Sequence, residues 1–289
     1  MYNNILFLSF LSFSLSAQTQ LPRRSKLPVS LKEVSGLALA PDGPLWALND
    51  GGNTADLFQF DAQTLQLAET KHLPVQNRDW EELAVDDKGQ LYIGDFGNNG
   101  NRRRDLRIYR YHPKSGALDS ILFRYPDQQA FPPASKRHWN FDCEAMVFFN
   151  DSLHLFSKSH FKGSYYCKHY VLPAQPGEYI LTLRDSVYLK KRAVSGAAIS
   201  HDGKTLALTA YYVGFFLKCI PYTRAHAYFF SDYARDGFSK AAIRRKRLPK
   251  CLIARQFESI VFWRPSLWLA ANEGIGPQRA AFWRLRQRW

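Results

Sequence analysis

Cysteine is scarce: Cys143, Cys167, Cys219 and Cys251 are the whole supply in 289 residues. No two of them form a CxxC pair, so zinc is not suggested. Four cysteines allow three disulfide pairings in an oxidising compartment; Cys219 with Cys251 is the expected one, since the repeats described below put both in one unit. No G-x-S-x-G elbow occurs, so a hydrolase-type serine nucleophile is unsupported. The stretch His154 to His160 matches no metal spacing. No nucleic-acid module is recognisable. Long polar tracts are also missing, which argues against disorder. Acidic residues are in deficit, 25 against 39 Lys and Arg, for a formal charge of +14. Such a balance attracts phosphates, acidic glycans or a membrane surface, and it equally describes a solvated basic face.

The chain has no apolar run long enough to span a bilayer. Its longest early run, Ile5 to Leu15, is flanked by small residues up to Ala17. That pattern predicts a secretory signal peptide over residues 1–17, although its first residues carry no Lys or Arg. The expected product is a secreted or periplasmic protein, residues 18–289 forming one domain. No integral membrane segment and no nucleic-acid partner are expected, and a monomer is.

What the chain does have is a repeat. A polar head opens a short apolar strand five times: Val34-Ser35-Gly36-Leu37, Trp80-Glu81-Glu82-Leu83, Cys143-Glu144-Ala145-Met146, Val194-Ser195-Gly196-Ala197 and Phe257-Glu258-Ser259-Ile260. A second apolar strand follows each, starting at Leu45, Leu91, Leu153, Leu206 and Leu267. Turn residues such as Pro41-Asp42-Gly43 and His201-Asp202-Gly203 lie between. Third and fourth strands alternate polar and apolar residues, the period of strands. Four antiparallel strands per unit, repeated, is the pattern of a propeller blade. The fifth unit has only three strands, ending near Ala281 to Arg286. The segment Lys26-Leu27-Pro28-Val29 stands before the first head as His72-Leu73-Pro74-Val75 stands before the second. The sequence therefore predicts an all-β, five-bladed propeller whose N-terminal strand completes the last blade.

Innermost strands flank the axis, so Ser35, Glu81, Glu144, Ser195 and Glu258 are expected to converge there. Period two turns Glu82 away from this ring. Three carboxylates crowded together raise one another's pKa unless a cation joins them. Oxygen donors without histidine favour Ca²⁺. Ends of the second strands share that face, adding Asn49, Asp50, Asn98, Tyr211 and Glu273 as candidate ligand-binding residues. Asp95 is the candidate general base there and Lys158 the candidate charge stabiliser.

The order Ser, Glu, Glu, Ser, Glu, one per blade, resembles the central calcium site of the calcium-activated nucleotidases, the apyrases. The Val-Ser-Gly context of Ser35 and the Phe-Glu-Ser-Ile context of Glu258 resemble that family's strand starts. The resemblance implies that the five residues are calcium ligands. The loops depart: Asn49-Asp50-Gly51-Gly52-Asn53 stands where that family has an acidic-arginine stretch. Asp79-Trp80-Glu81-Glu82-Leu83-Ala84, Gly94-Asp95-Phe96-Gly97-Asn98-Asn99 and Ser157-Lys158 are similar to patterns in secreted bacterial propellers, a likeness that implies fold and no activity. The expected function is a calcium-dependent hydrolase acting on phosphate-containing or other anionic substrates. The alternatives are a calcium-stabilised module that binds a glycan or peptide without turnover, and a glycosidase or lactonase.

Overall fold

The computed structural model describes residues 22–216, 220–231, 238–249, 256–264, 266–274 and 278–286. The predicted leader and the predicted Cys219–Cys251 pair lie outside them. Cys143 and Cys167 are buried free thiols.

Five antiparallel sheets form the five blades. Their innermost strands are Val34–Leu39, Trp80–Val85, Asp142–Phe149, Ala193–Ile199 and Phe257–Arg264. Each pairs with a second strand on its outer side, at Leu45–Asn49, Leu91–Asp95, Ser152–Lys158, Thr205–Phe216 and Leu267–Asn272. Apolar side chains from adjacent blades interlock in five clusters, one at each blade boundary. Trp46, Leu48, Trp80 and Ile93 join the first blade to the second. Phe229, Phe257, Phe262 and Trp268 join the fourth to the fifth. Burial of these aromatic faces holds the ring together, so the axis is left to polar groups.

The ring closes as predicted, with a shifted boundary. Arg24–Lys26 pairs antiparallel with Ala281–Arg286. Pro28 has no N–H to extend that ladder, and a 3₁₀ turn, Val29–Leu31, follows it. One strand was not foreseen: Gly177–Ile180 leaves the third blade and runs parallel to Leu118–Arg124. It covers the outer edge of the second blade, an edge otherwise open to pairing. The fourth blade has an outsized hairpin. Ala193 is the last innermost residue paired with its second strand, at Tyr211, whereas Thr205–Phe216 and Ile220–Ser231 remain paired out to Phe216 and Ile220. That hairpin therefore projects beyond the mouth formed by the innermost strand starts.

Candidate metal centre

All five polar heads sit at irregularities in the sheet. Between the first and second strands the register jumps at Val34/Leu37, Trp80/Glu82, Cys143/Ala145, Val194/Gly196 and Phe257/Ser259. A bulge leaves one residue unpaired and re-aims its side chain. The bulged residues include Ser35, Glu81, Glu144, Ser195 and Glu258, each 6% exposed or less.

The bulge also corrects the expectation for Glu82. Strict alternation would turn it away, but the extra residue breaks the alternation and Glu82 reaches across the axis. Its Oε1 accepts the Leu83 N–H at 3.0 Å and its Oε2 accepts the Ala197 N–H from the fourth blade at 2.8 Å. Backbone N–H groups of Leu37 and Met146 also reach it. Burial pushes its pKa well up, and the four N–H donors oppose that by favouring the anion. Equivalent positions in other blades stay small. A Cβ on Gly36 would lie 2.5 Å from Leu83 N, and one on Gly196 would run into the backbone carbonyl of Glu258. This layer separates the mouth from an open funnel of about 680 Å³ on the opposite face, lined by Leu37, Leu83, Met146, Ala197 and Val261.

On the mouth side, the ring serines clamp neighbouring blades. Ser35 donates its hydroxyl proton to the Glu81 carbonyl, and Ser195 donates to the Phe257 carbonyl at 2.7 Å. Their oxygens keep lone pairs for a ligand. The glutamates gather with acidic residues that the repeat reading passed over. Oxygens of Glu81, Asp142 and Glu144 lie within 4.8 Å of one another, and so do those of Asp50, Asp79 and Glu81. A signal for the missing pair existed in the sequence: Asp79-x-Glu81 and Asp142-x-Glu144 place an aspartate two residues before two of the three glutamate heads.

Lys158 stands among these groups. Its Nζ is 2.6 Å from Glu144 Oε1 and 5.9 Å from the centre of the Tyr211 ring. Burial opposes its charge, yet Glu144, Tyr211, Asp142 and Glu258 together hold its pKa well above the usual value. One ammonium does not neutralise so many carboxylates. Burial, reinforced by Asp142 and Asp79 against the pull of Lys158, raises Glu144 to about 8. Burial and Glu144 raise Asp50 to about 7. Burial and Asp50 raise Glu273 to about 7. Glu81 is raised by burial and by Glu144; Glu258 by burial and by Glu273. Glu258 Oε2 is buried with no hydrogen-bond partner among the described residues.

Of the predicted ligand-binding residues, Asp50, Tyr211 and Glu273 join this mouth. Asn49 and Asn98 spend their amides on the backbone. Asn49 accepts from Glu33 N–H and donates to the Ser30 carbonyl at 2.7 Å. Asn98 accepts from the Arg102 and Arg103 N–H groups and donates to the Phe141 carbonyl, while its own N–H donates to Asp142 Oδ1 at 2.7 Å. Asp95 is closed to solvent. Its Oδ1 accepts from Arg103 at 2.9 Å and from the Asp79 N–H at 3.2 Å. Asp95 is thus tied to the Asp79 backbone and to Arg103 beside the mouth.

No family model and no curated protein matches the sequence. Solved structures do. Penicillium chrysogenum alpha-L-arabinanase, solved with arabinobiose, has a TM-score of 0.52 at 10% identity, over 92% of this chain and 97% of that one. The likeness is one of fold. A putative gluconolactonase gives 0.47 at 10% identity, over 92% and 94% of the two chains. Kuenenia stuttgartiensis hydrazine synthase gives 0.43 at 14% identity; this chain spans 58% of that one's length. Fold alone does not choose a chemistry, so function rests on the residues of the site.

Proposed function

We propose that this chain is an exported propeller that binds calcium in its axial mouth and hydrolyses phosphate-containing or other anionic substrates there. One observation carries the reading: Asp50, Asp79, Glu81, Asp142, Glu144, Glu258 and Glu273 crowd one mouth with Lys158 as the ammonium among them. Buried carboxylates persist in such numbers when a cation joins them. Oxygen-only donors fit a hard cation, and the orphaned Glu258 Oε2 fits a group whose partner is such an ion. Glu81, Asp142, Glu144 and Glu258 would hold it, with the Ser35 and Ser195 oxygens beside them. Bound calcium supplies Lewis acidity toward an anionic substrate oxygen. The order of ring residues shared with the calcium-activated nucleotidases supports the same reading.

The chain's own residues divide the remaining work. Glu273 is half-buried on the open side and raised to about 7, so it suits a general base at neutral pH. Lys158, fixed by Glu144, offsets charge gathering on the substrate. Asp95 acts as a positioning residue through Asp79. Glu273→Gln is expected to lower kcat by at least tenfold with calcium binding intact, measured on a panel of phosphomonoesters and phosphodiesters. Normal turnover in Glu273→Gln would remove that assignment. Absence of turnover on every substrate, with calcium binding intact, would leave the mouth as a binding module for a glycan or peptide. Export is tested by N-terminal sequencing of the secreted product, which should begin at Gln18.

A further inference from the structure

The following rests on the reading of the mouth as a cation centre. We propose that Asp50, Asp79 and Glu81 hold a second divalent cation beside the one at Glu81, Asp142 and Glu144, with Glu81 bridging the two.

Size fits first. The ligand oxygens of each triad lie within 4.8 Å of one another. Calcium–oxygen distances of about 2.4 Å let one ion span oxygens up to roughly that separation. Glu81 belongs to both triads. It is 4% exposed, and no described residue donates a hydrogen bond to its carboxylate. Burying a carboxylate without donors is costly unless a cation meets it.

The nearby protein cations are committed elsewhere. Lys158 is on Glu144 at 2.6 Å. Arg103 is on Asp95 at 2.9 Å and on Asp105 at 3.3 Å. Neither forms an ion pair with Asp50, Asp79 or Glu81 among the described residues.

Two glycines give the strongest local argument. Gly51 and Gly97 do not adopt the left-handed backbone that usually calls for glycine. What they provide is room. A Cβ on Gly97 would lie 2.6 Å from Asp79 Oδ2 and collide with Glu81 Oε1. A Cβ on Gly51 would lie 2.5 Å from Asp79 Oδ1. Both loops are thus shaped to let the Asp79 and Glu81 carboxylates project side by side, an arrangement that like charges resist without a cation between them.

Two divalent cations held here would supply positive charge to both the attacking and the leaving oxygen of a displacement at phosphorus. Among the anionic substrates proposed above, such a pair would suit phosphate esters. In that hydrolysis the water oxygen bonds to phosphorus, the ester P–O bond breaks, and a water proton ends on the departing alcohol.

Calcium titration calorimetry on the chelator-treated full chain tests the proposal, with stoichiometry as the readout. Wild type is expected to bind two ions, and Asp79→Asn, Asp50→Asn and Asp142→Asn one each. Asp50 lies at the half-exposed edge, so Asp50→Asn decides the matter where Asp79→Asn fails to fold. A wild type that binds one ion, kept by Asp79→Asn and Asp50→Asn at unchanged affinity, overturns the second site and leaves the first standing. Full stoichiometry retained in both variants overturns it equally. A wild type that binds none removes the underlying cation centre as well.

Discussion

Glu82 carries the sharpest structural claim made by a single side chain. Its carboxylate gathers N–H groups from four blades at the axis. Glu82→Ala leaves those donors buried and unpaired, at about 1–3 kcal/mol for each lost partner. A drop of several degrees in melting temperature is expected, partly restored by millimolar acetate or formate filling the N–H cluster. An unchanged melting temperature would mean that the donors find other partners. The mouth carboxylates predict a pH dependence. In the folded, cation-free chain Asp142 titrates at about 6, Asp50 and Glu273 at about 7 and Glu144 at about 8, against 3.8 for Asp and 4.5 for Glu unperturbed. A raised acid binds its proton more tightly when folded, so stability is fullest below the unperturbed values and falls as pH rises through the folded ones. Cation-free protein should therefore lose melting temperature between about pH 4 and pH 8. Added calcium replaces those protons, so its stabilising effect should grow over the same window. Equal calcium effects at both ends would contradict the crowding argument.

Among the elements, the bulged innermost strands decide what the sequence could reveal. Alternation located the strands to within a residue: second strands expected to start at Leu45, Leu91, Leu153, Leu206 and Leu267 begin at Leu45, Leu91, Ser152, Thr205 and Leu267. The five heads were legible because the same residue types recur at one repeat position. The consequence of the bulge was not, since an inserted residue leaves no mark on the polar–apolar pattern. The small residues Gly36, Ala145 and Gly196 beside Glu82 were the available clue. Asp79 and Asp142 were missed for a related reason: both stand two residues before a polar head, outside the repeated segment that was matched. Asn49 and Asn98 show the converse: polar loop residues at a mouth are as apt to tie loops down as to meet a ligand. The projecting hairpin of the fourth blade carries Tyr212 against Tyr222 and an exposed Phe215 beyond the mouth. Phe215→Ala is expected to weaken substrate binding, read as a raised KM at unchanged kcat, with no loss of melting temperature. An unchanged KM would place the hairpin outside substrate recognition.

At the scale of the whole molecule, closure and function are linked. Arg24–Lys26 completes the fifth blade, and Leu27 and Leu31 fill the cluster between the first and fifth blades. Starting the chain at Pro28 removes that strand and bares the edge of Ala281–Arg286. A lower melting temperature and self-association on size exclusion are expected, because an exposed edge pairs with other chains. Truncated protein that stays monomeric and melts normally would show that the strand is dispensable. Among the described residues no helix is long and apolar enough to cross a membrane. The ring brings the five polar heads to one mouth, and cation binding there is the central claim. The measurement that tests it most directly is calorimetric calcium titration of chelator-treated protein near neutral pH, with Glu81→Gln alongside. Binding heat and a raised melting temperature are expected in the native chain, both lost in Glu81→Gln. No heat and no shift in the native chain would contradict it.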